Sequence, residues 1–307
     1  MDALALTDSG NLYGAIEFYK ECKKNDIKPI IGVDFYVSSR TRFDKEARVD
    51  NERSRLVLLA ENNTGYKNLL KLVSTSYLEC FYYKPRIDKE LIEKHRDGLI
   101  AILPALSKTD LEEKARYYKK VFGESNFFLE ITRHREMRGH EDSMKTRIEF
   151  ARKENILLVA CHDVYYLELE DKPVRDTILS IQGHLIGDGG AFGEDSEDLS
   201  FISSEVAKEY FKDIPDALEN TVLIAKRCNL ELDLGTWVFP NIETLGGVSP
   251  DELLKKIVYE GFKLRNSKKT KEEVERVEYE LKIIKDKGYA KYFLVVYDLL
   301  DYAHKNG

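Results

Sequence analysis

The sequence predicts an α/β fold, a parallel sheet or barrel followed by a helical segment, and three observations carry that reading. Short apolar runs alternate with amphipathic stretches through the first half of the chain, the order that builds parallel sheets flanked by helices. From Lys172 onward the apolar spacing turns helical. A Pro- and Gly-rich stretch without periodicity, Trp237 to Ser249, then separates the barrel from three further helical patterns.

The elements follow in order. ALALT opens the chain as a strand ending at Asp8, and Leu12, Ala15, Ile16, Tyr19 and Cys22 recur at helical spacing behind it. PIIGVDFYV (Pro29 to Val37) is a second buried strand, broken by Asp34. LVLLA (Leu56 to Ala60) is a third, followed by a helix from Thr64 to Glu79 with Leu69, Leu70, Val73 and Tyr77 inward. Strands at Gly98 to Leu103, Asn126 to Ile131 and Ile156 to Cys161 complete six, with helices from about Thr109 to Phe122 and up to Lys153 between them. Ile214 to Leu232 is the clearest helical unit thereafter. Beyond the linker, Ser249 is an N-cap with Pro250 at the first helical position. A capping box, Thr270 to Glu273, opens a helix that stops at Gly288, and Tyr292 to Gly307 is a third helix.

Composition narrows the function classes. With 48 Lys and Arg against 55 Asp and Glu, the net charge is −7, which opposes a whole-surface nucleic-acid binder. Four scattered cysteines, Cys22, Cys80, Cys161 and Cys228, have no metal-ligand spacing and read as reduced, mostly buried thiols. No apolar run approaches a membrane span, and the N-terminus lacks a signal-peptide pattern. The expectation is a cytoplasmic protein with no membrane partner.

Chemistry concentrates at the strand ends. Asp8, Asp34, Glu130, His134, His162 and Asp163 place oxygen and imidazole donors at one rim, a set suited to Zn²⁺ or Mn²⁺ and to water activation for phosphoester hydrolysis. The plainer alternative is that each caps a helix or stays solvated. Two further segments draw attention. FYYKPR (Phe81 to Arg86) has a base-stacking composition, but the favoured reading packs its aromatics inward and leaves Lys84 and Arg86 solvated. The mixed-charge run Arg40 to Arg55 reads as an exposed, mobile loop.

TDSGNLYGAIEFY, KPIIGVDFYV, NNTGYKNLLKLVSTSYLE, FFLEITRH and LLVACHDVYYLE closely resemble the polymerase-and-histidinol-phosphatase (PHP) domain that opens the alpha subunit of bacterial DNA polymerase III. DIPDALENTVLIAKRCNLEL is similar to that domain's end, and GYAKYFLVVYDLLDYAHKNG to the start of the polymerase palm. The resemblance implies a PHP-type (β/α)7-like barrel lacking its first strand over residues 1–240, then linker and palm helices over 241–307, in a chain truncated at both ends.

In active members of that family a ring of His and carboxylates binds up to three metal ions. This chain keeps Asp8, Glu130, His134 and Asp163, and has Asp34 for the usual Glu. Ser9, Tyr77 and Tyr165 stand where the family has His, and His162 where it more often has Asn. A tyrosine is a neutral phenol at pH 7 and a poor ligand beside imidazole. The six candidates therefore read as a vestigial metal site.

The resemblance implies part of a replicative DNA polymerase, this region being structural and partner-docking, with the rest of the holoenzyme and its proofreading exonuclease as partners. DNA and catalytic Mg²⁺ belong to the palm of the intact subunit, and no cofactor is expected in this chain. The alternative is a metal-dependent phosphoesterase or 3′–5′ exonuclease. Without an opening strand, ALALT and ILLVAC become bare sheet edges, so poor solubility or self-association is expected.

Overall fold

Alternating burial on both faces of one sheet organises the first of two compact units, Met1–Leu232; the second is Asp233–Gly307. A computed structural model describes residues 1–51, 53–105, 110–134, 137, 139–186, 198–236, 247–265 and 267–307. The first unit runs β1 (Ala3–Leu6), α1 (Ala15–Lys24), β2 (Lys28–Ser38), β3 (Arg53–Ala60), α2 (Asn63–Leu78), β4 (Arg86–Ile87), α3 (Lys89–Lys94), β5 (Leu99–Leu103), α4 (Leu111–Phe122), β6 (Phe127–Ile131), α5 (His140–Lys153) and β7 (Leu157–Ala160). A 3-10 turn at Leu169–Asp171 leads into α6 (Lys172–Ile186), α7 (Ser204–Tyr210) and α8 (Pro215–Arg227).

The sheet has the order β1-β2-β3-β5-β6-β7, with β4 pairing the far end of β2. That makes seven strands where the apolar runs suggest six, because two-residue β4 is too short to show as a run. The sheet is also mixed, which corrects the all-parallel expectation: β3 runs antiparallel to both β2 and β5. The physical reason lies in the connection. Parallel neighbours need a crossover, usually a helix, and no helix lies between β2 and β3 among the described residues.

On the outer face Val33, Phe35, Leu56, Leu58, Ala101 and Leu129 pack under Leu69 and Leu72 of α2, Tyr118 of α4 and Phe150 of α5. On the inner face Ile30, Leu59, Ile100, Ile102, Phe128 and Val159 meet Ile224 and Cys228 of α8. Strand residues two apart share a face, so β2, β3, β5 and β6 are buried on both sides, while edge strand β1 is only half-buried. Helix phase departs from expectation in α2, where Leu70 and Tyr77 are 42% and 38% exposed while Leu72 and Ser76 are buried. In α1, Leu12 precedes the helix and Ile16 turns outward. Asn62 caps α2 by accepting from the Thr64 and Gly65 amides at 2.9 and 3.1 Å.

β1 and β7 end the sheet, as the sequence suggests, but β7 is not bare. Asn220 of α8 donates through Nδ2 to the Leu158 carbonyl at 2.8 Å, so a helix partly covers that edge.

The Arg40-to-Arg55 segment differs from its sequence reading. Arg53 to Arg55 belong to β3, and Arg40, Arg42 and Asp50 are held by ion pairs. Asp50 is 1% exposed and accepts from Arg40 Nε at 2.9 Å, while Arg42 pairs with Asp88 at 3.0 Å and Glu90 at 2.7 Å. Arg86, expected in solvent, is wholly buried and donates to the carbonyls of Asp44, Cys80, Asp50 and Arg42. A guanidinium's five donors let one residue satisfy several loop carbonyls at once. Phe81 and Tyr83 are exposed rather than inward, and Lys84 is solvated as expected.

The second unit contains α9 (Pro250–Leu264), α10 (Lys271–Asp286) and α11 (Ala290–Asn306). Both helix starts anticipated from sequence carry reciprocal capping boxes, Ser249 with Glu252 and Thr270 with Glu273. Leu254, Ala290 and Leu294 form its small core, and Leu299, Leu300 and Tyr302 face outward. Most of the expected linker, residues 237–246, lies outside the described residues. Among the described residues no helix is long and apolar enough to cross a membrane.

Candidate functional site

The inner face changes character toward one rim. Two residues above Gly32 on β2 stands Asp34; beyond Val57 on β3 stands Arg55; beyond Phe128 on β6 stands Glu130; and Cys161 follows Val159 past the end of β7. This rim is the carboxyl end of the parallel strands, where α/β folds gather polar groups. It is also the amino end of antiparallel β3. The six sequence candidates reach it unequally.

Asp8 and Asp34 meet through backbone: the Asp34 amide donates to the Asp8 carbonyl at 3.1 Å, and the Gly10 amide to the Asp34 carbonyl at 2.9 Å. Among the described residues the Asp8 carboxylate makes no ion pair, and it lies beside Gly14 at the start of α1. The Asp34 carboxylate is buried and ion-paired with the Arg55 guanidinium through Oδ2, while its Oδ1 has no hydrogen-bond partner. Glu130 accepts the Ala105 amide at 3.0 Å. Burial pushes the Glu130 carboxyl up, the Ala105 bond opposing it and Asp163 reinforcing it. Arg147 supports the strand from below, donating to the Glu130 carbonyl at 2.8 Å and the Leu103 carbonyl at 2.6 Å. Its burial lowers its own pKa to about 10.

His134, Asp163 and His162 do come together. His134 Nε2 stands 3.7 Å from Asp163 Oδ2, an ion-pair contact longer than a hydrogen bond, and its ring centroid is 5.6 Å from that of His162. The adjacent His134 holds the Asp163 carboxyl below its usual range against burial, helped by Arg55 and His162. Burial, then His134, lowers the His162 pKa. Burial raises the Cys161 thiol well above its ordinary value, with Glu130 and Asp163 adding to the effect.

A divalent ion would need several of these donors within about 2.0–2.2 Å of one point. Asp34 is turned onto Arg55, Glu130 onto a backbone amide, and Asp163 onto His134. The three residues expected to stand in place of His, Tyr77, Tyr165 and Ser9, do not supply the deficit. Tyr77 stacks on Phe81 with centroids 6.2 Å apart, burial raising its phenol pKa, while Tyr165 is 57% exposed under the Arg175 guanidinium. Ser9 is exposed. Among the described residues no three His, Cys, Asp or Glu side chains converge closely enough to hold an ion. The residues as placed do not fit a divalent-metal centre.

Two rim residues escape a reading based on strand ends. His140, at the start of α5, packs its ring 5.3 Å from His134 and lies 3.2 Å from the Thr132 carbonyl, fixing the turn after β6. Arg55 escapes because a parallel β3 would carry it to the opposite end of the sheet. The signal was the helix-free stretch before β3, which marks an antiparallel return.

The mixed sheet, its outer helices and an acidic and imidazole rim define a PHP-type α/β domain. Residues 1–134 match the PHP domain family, and residues 252–307 match the bacterial DNA polymerase III alpha NTPase domain. Along its whole length the chain is similar to bacterial DNA polymerase III alpha subunits. It is 38% identical to DNA polymerase III subunit alpha of Borreliella burgdorferi, over 100% of this chain and 28% of that protein. The corresponding subunit of Treponema pallidum is 34% identical over 99% of this chain and 27% of its own length, and that of Aquifex aeolicus 33% over 99% and 29%. The chain thus spans less than a third of the length of these relatives. Among solved structures, an amidohydrolase from Chromobacterium violaceum is 13% identical with a TM-score of 0.33, covering 52% of this chain and 76% of that one, a likeness too faint to bear on the fold.

Proposed function

We propose that this chain is the PHP-bearing part of a bacterial replicative DNA polymerase alpha subunit, and that its first unit is a structural and partner-docking body without hydrolase chemistry of its own. The observation that carries this reading is Arg55 seated on Asp34, a cation occupying the acidic rim that a metal-dependent hydrolase would keep for its ions. The polymerase reaction of the whole subunit is template-directed nucleotidyl transfer with two Mg²⁺ held by palm carboxylates. On this reading that chemistry belongs to other parts of the subunit. The remainder of the polymerase and its proofreading exonuclease are the proposed partners, and DNA is the substrate of the intact assembly.

The test is hydrolysis of bis-p-nitrophenyl phosphate and of a 3′-labelled oligonucleotide by the purified chain with MnCl2 or ZnCl2, alongside extension of primed DNA. No turnover in any of the three is expected. Hydrolysis that saturates with metal and disappears in Asp163→Ala would establish the rival reading, a metal-dependent phosphoesterase or exonuclease.

A further inference from the structure

We infer that Arg55 is the resident counter-cation of this rim, doing with a fixed guanidinium what a divalent ion would do, and that its removal opens the rim to divalent-metal binding. The inference rests on the reading of the rim as non-hydrolytic and goes beyond it by naming the group responsible.

Placement comes from the ladder. Arg55 pairs across β2–β3 with Tyr36, and Asp34 pairs with Val57, so Arg55 and Asp34 are diagonal neighbours on one face. Such neighbours lie within reach of a long side chain. The Asp34 side chain is only 7% exposed, and that of Arg55 is 36% exposed, so the cation reaches inward from the rim onto a buried anion. Nor is Asp34 its sole client. The Arg55 charge also favours the ionised forms of Glu130 on β6 and Asp163 after β7. Three carboxylates from three parts of the fold therefore share one guanidinium.

Arg147 also favours the ionised form of Glu130, more strongly than Arg55 does, but its donors are spent on the carbonyls of Glu130, Leu103 and Pro104 and leave Asp34 to Arg55. An uncompensated buried carboxylate is strongly destabilising, so the rim needs a cation. While a guanidinium holds Asp34 Oδ2, that oxygen is withdrawn from metal ligation and the local charge repels a second cation.

The test uses the whole chain and four forms: wild type, Arg55→Met, Arg55→Lys and the double variant Asp34→Asn/Arg55→Met. Each is melted in EDTA and in MnCl2, with metal content measured after dialysis. Wild type and Arg55→Lys should melt at the same temperature in both and carry no stoichiometric manganese. Arg55→Met in EDTA should melt roughly 5–10 °C lower, and MnCl2 should restore at least half of the loss. The double variant, with less charge left to compensate, should regain stability in EDTA and ignore manganese. Arg55→Met melting like wild type with no response to manganese overturns the inference and leaves the non-hydrolytic reading standing. A double variant as unstable as the single one also overturns it, and this comparison holds if Arg55→Met alone fails to fold. Stoichiometric manganese in the wild type, with hydrolysis, overturns both readings together.

Discussion

Replacing Arg86 with Met tests how the region around β4 is held together. The wild-type side chain is wholly buried and donates to the Asp44 carbonyl at 2.9 Å and to those of Cys80, Asp50 and Arg42 at 3.3, 3.3 and 3.4 Å. Its guanidinium also lies 5.1 Å from the centre of the Tyr82 ring. Methionine keeps most of the aliphatic volume and removes every donor. The short bond to Asp44 contributes about 2 kcal/mol and the three long ones about 0.5 kcal/mol each, since bonds to charged groups are the stronger kind but weaken with length. Relief of the guanidinium's own desolvation offsets about 1 kcal/mol. The net loss is about 2–3 kcal/mol, which for a unit of this size lowers the melting temperature by roughly 5–10 °C. Cys80 supplies a local readout. It is wholly buried and its thiol pKa is raised to about 11 by burial, so alkylation requires the segment to open. The same free energy predicts labelling of Cys80 faster by roughly 30- to 150-fold, read by mass spectrometry of the alkylated peptide. A melting point within 2 °C of wild type with unchanged Cys80 labelling would show that the network around ~four carbonyls contributes nothing net, and the account of this loop would be wrong.

Two further outcomes follow from the same geometry. Arg40 holds the buried Asp50 carboxyl at about 2, and His134 holds Asp163 below its ordinary 3.8. Both folded values are depressed, so their stabilisation is complete above the unfolded value and is lost as pH falls from 3.8 through the folded one, about 2 for Asp50. Glu130 has the opposite sign: burial raises its carboxyl above 4.5, so its contribution is present below that value and is lost as pH rises through the folded one. Calorimetry from acid to neutral pH should find the steepest acid loss in wild type and a flatter curve in Asp50→Asn; an equally steep curve in that variant would discount the Arg40 pair. At the sheet edge, Asn220→Ala should cost about 1 kcal/mol and increase light scattering on warming, because the Leu158 carbonyl loses its donor. Unchanged scattering would mean that α8 shields β7 without that bond.

Much of the fold was legible because burial wrote itself into the sequence as periodicity. The six apolar runs became β1, β2, β3, β5, β6 and β7, and the N-cap at Ser249 and the capping box at Thr270 marked true helix starts. What escaped was either too short to leave a period or stabilised by charge rather than by apolar surface. β4 is two residues long. Arg42, Asp50, Arg86 and Asp88 form a buried polar network whose composition is that of a solvated loop, since a charge paired inside the protein and a charge in water look the same in a sequence.

The candidate site divides along the same line. His134, His162 and Asp163 were legible as neighbours because β6 and β7 are parallel and end at one rim. Arg55 was not, because its position depends on a direction rather than on a residue type. In the EDTA melts of Arg55→Met, the direction of β3 is therefore on trial along with the charge. Parallel pairing would place residue 55 at the foot of the sheet, remote from Asp34, and a neutral side chain there would leave the rim's response to manganese as it was. Antiparallel pairing sets Arg55 diagonal to Asp34, where its loss must be felt by the carboxylate it covers. A manganese response confined to variants that lack a cation at position 55 while keeping Asp34 is the outcome only the antiparallel arrangement produces.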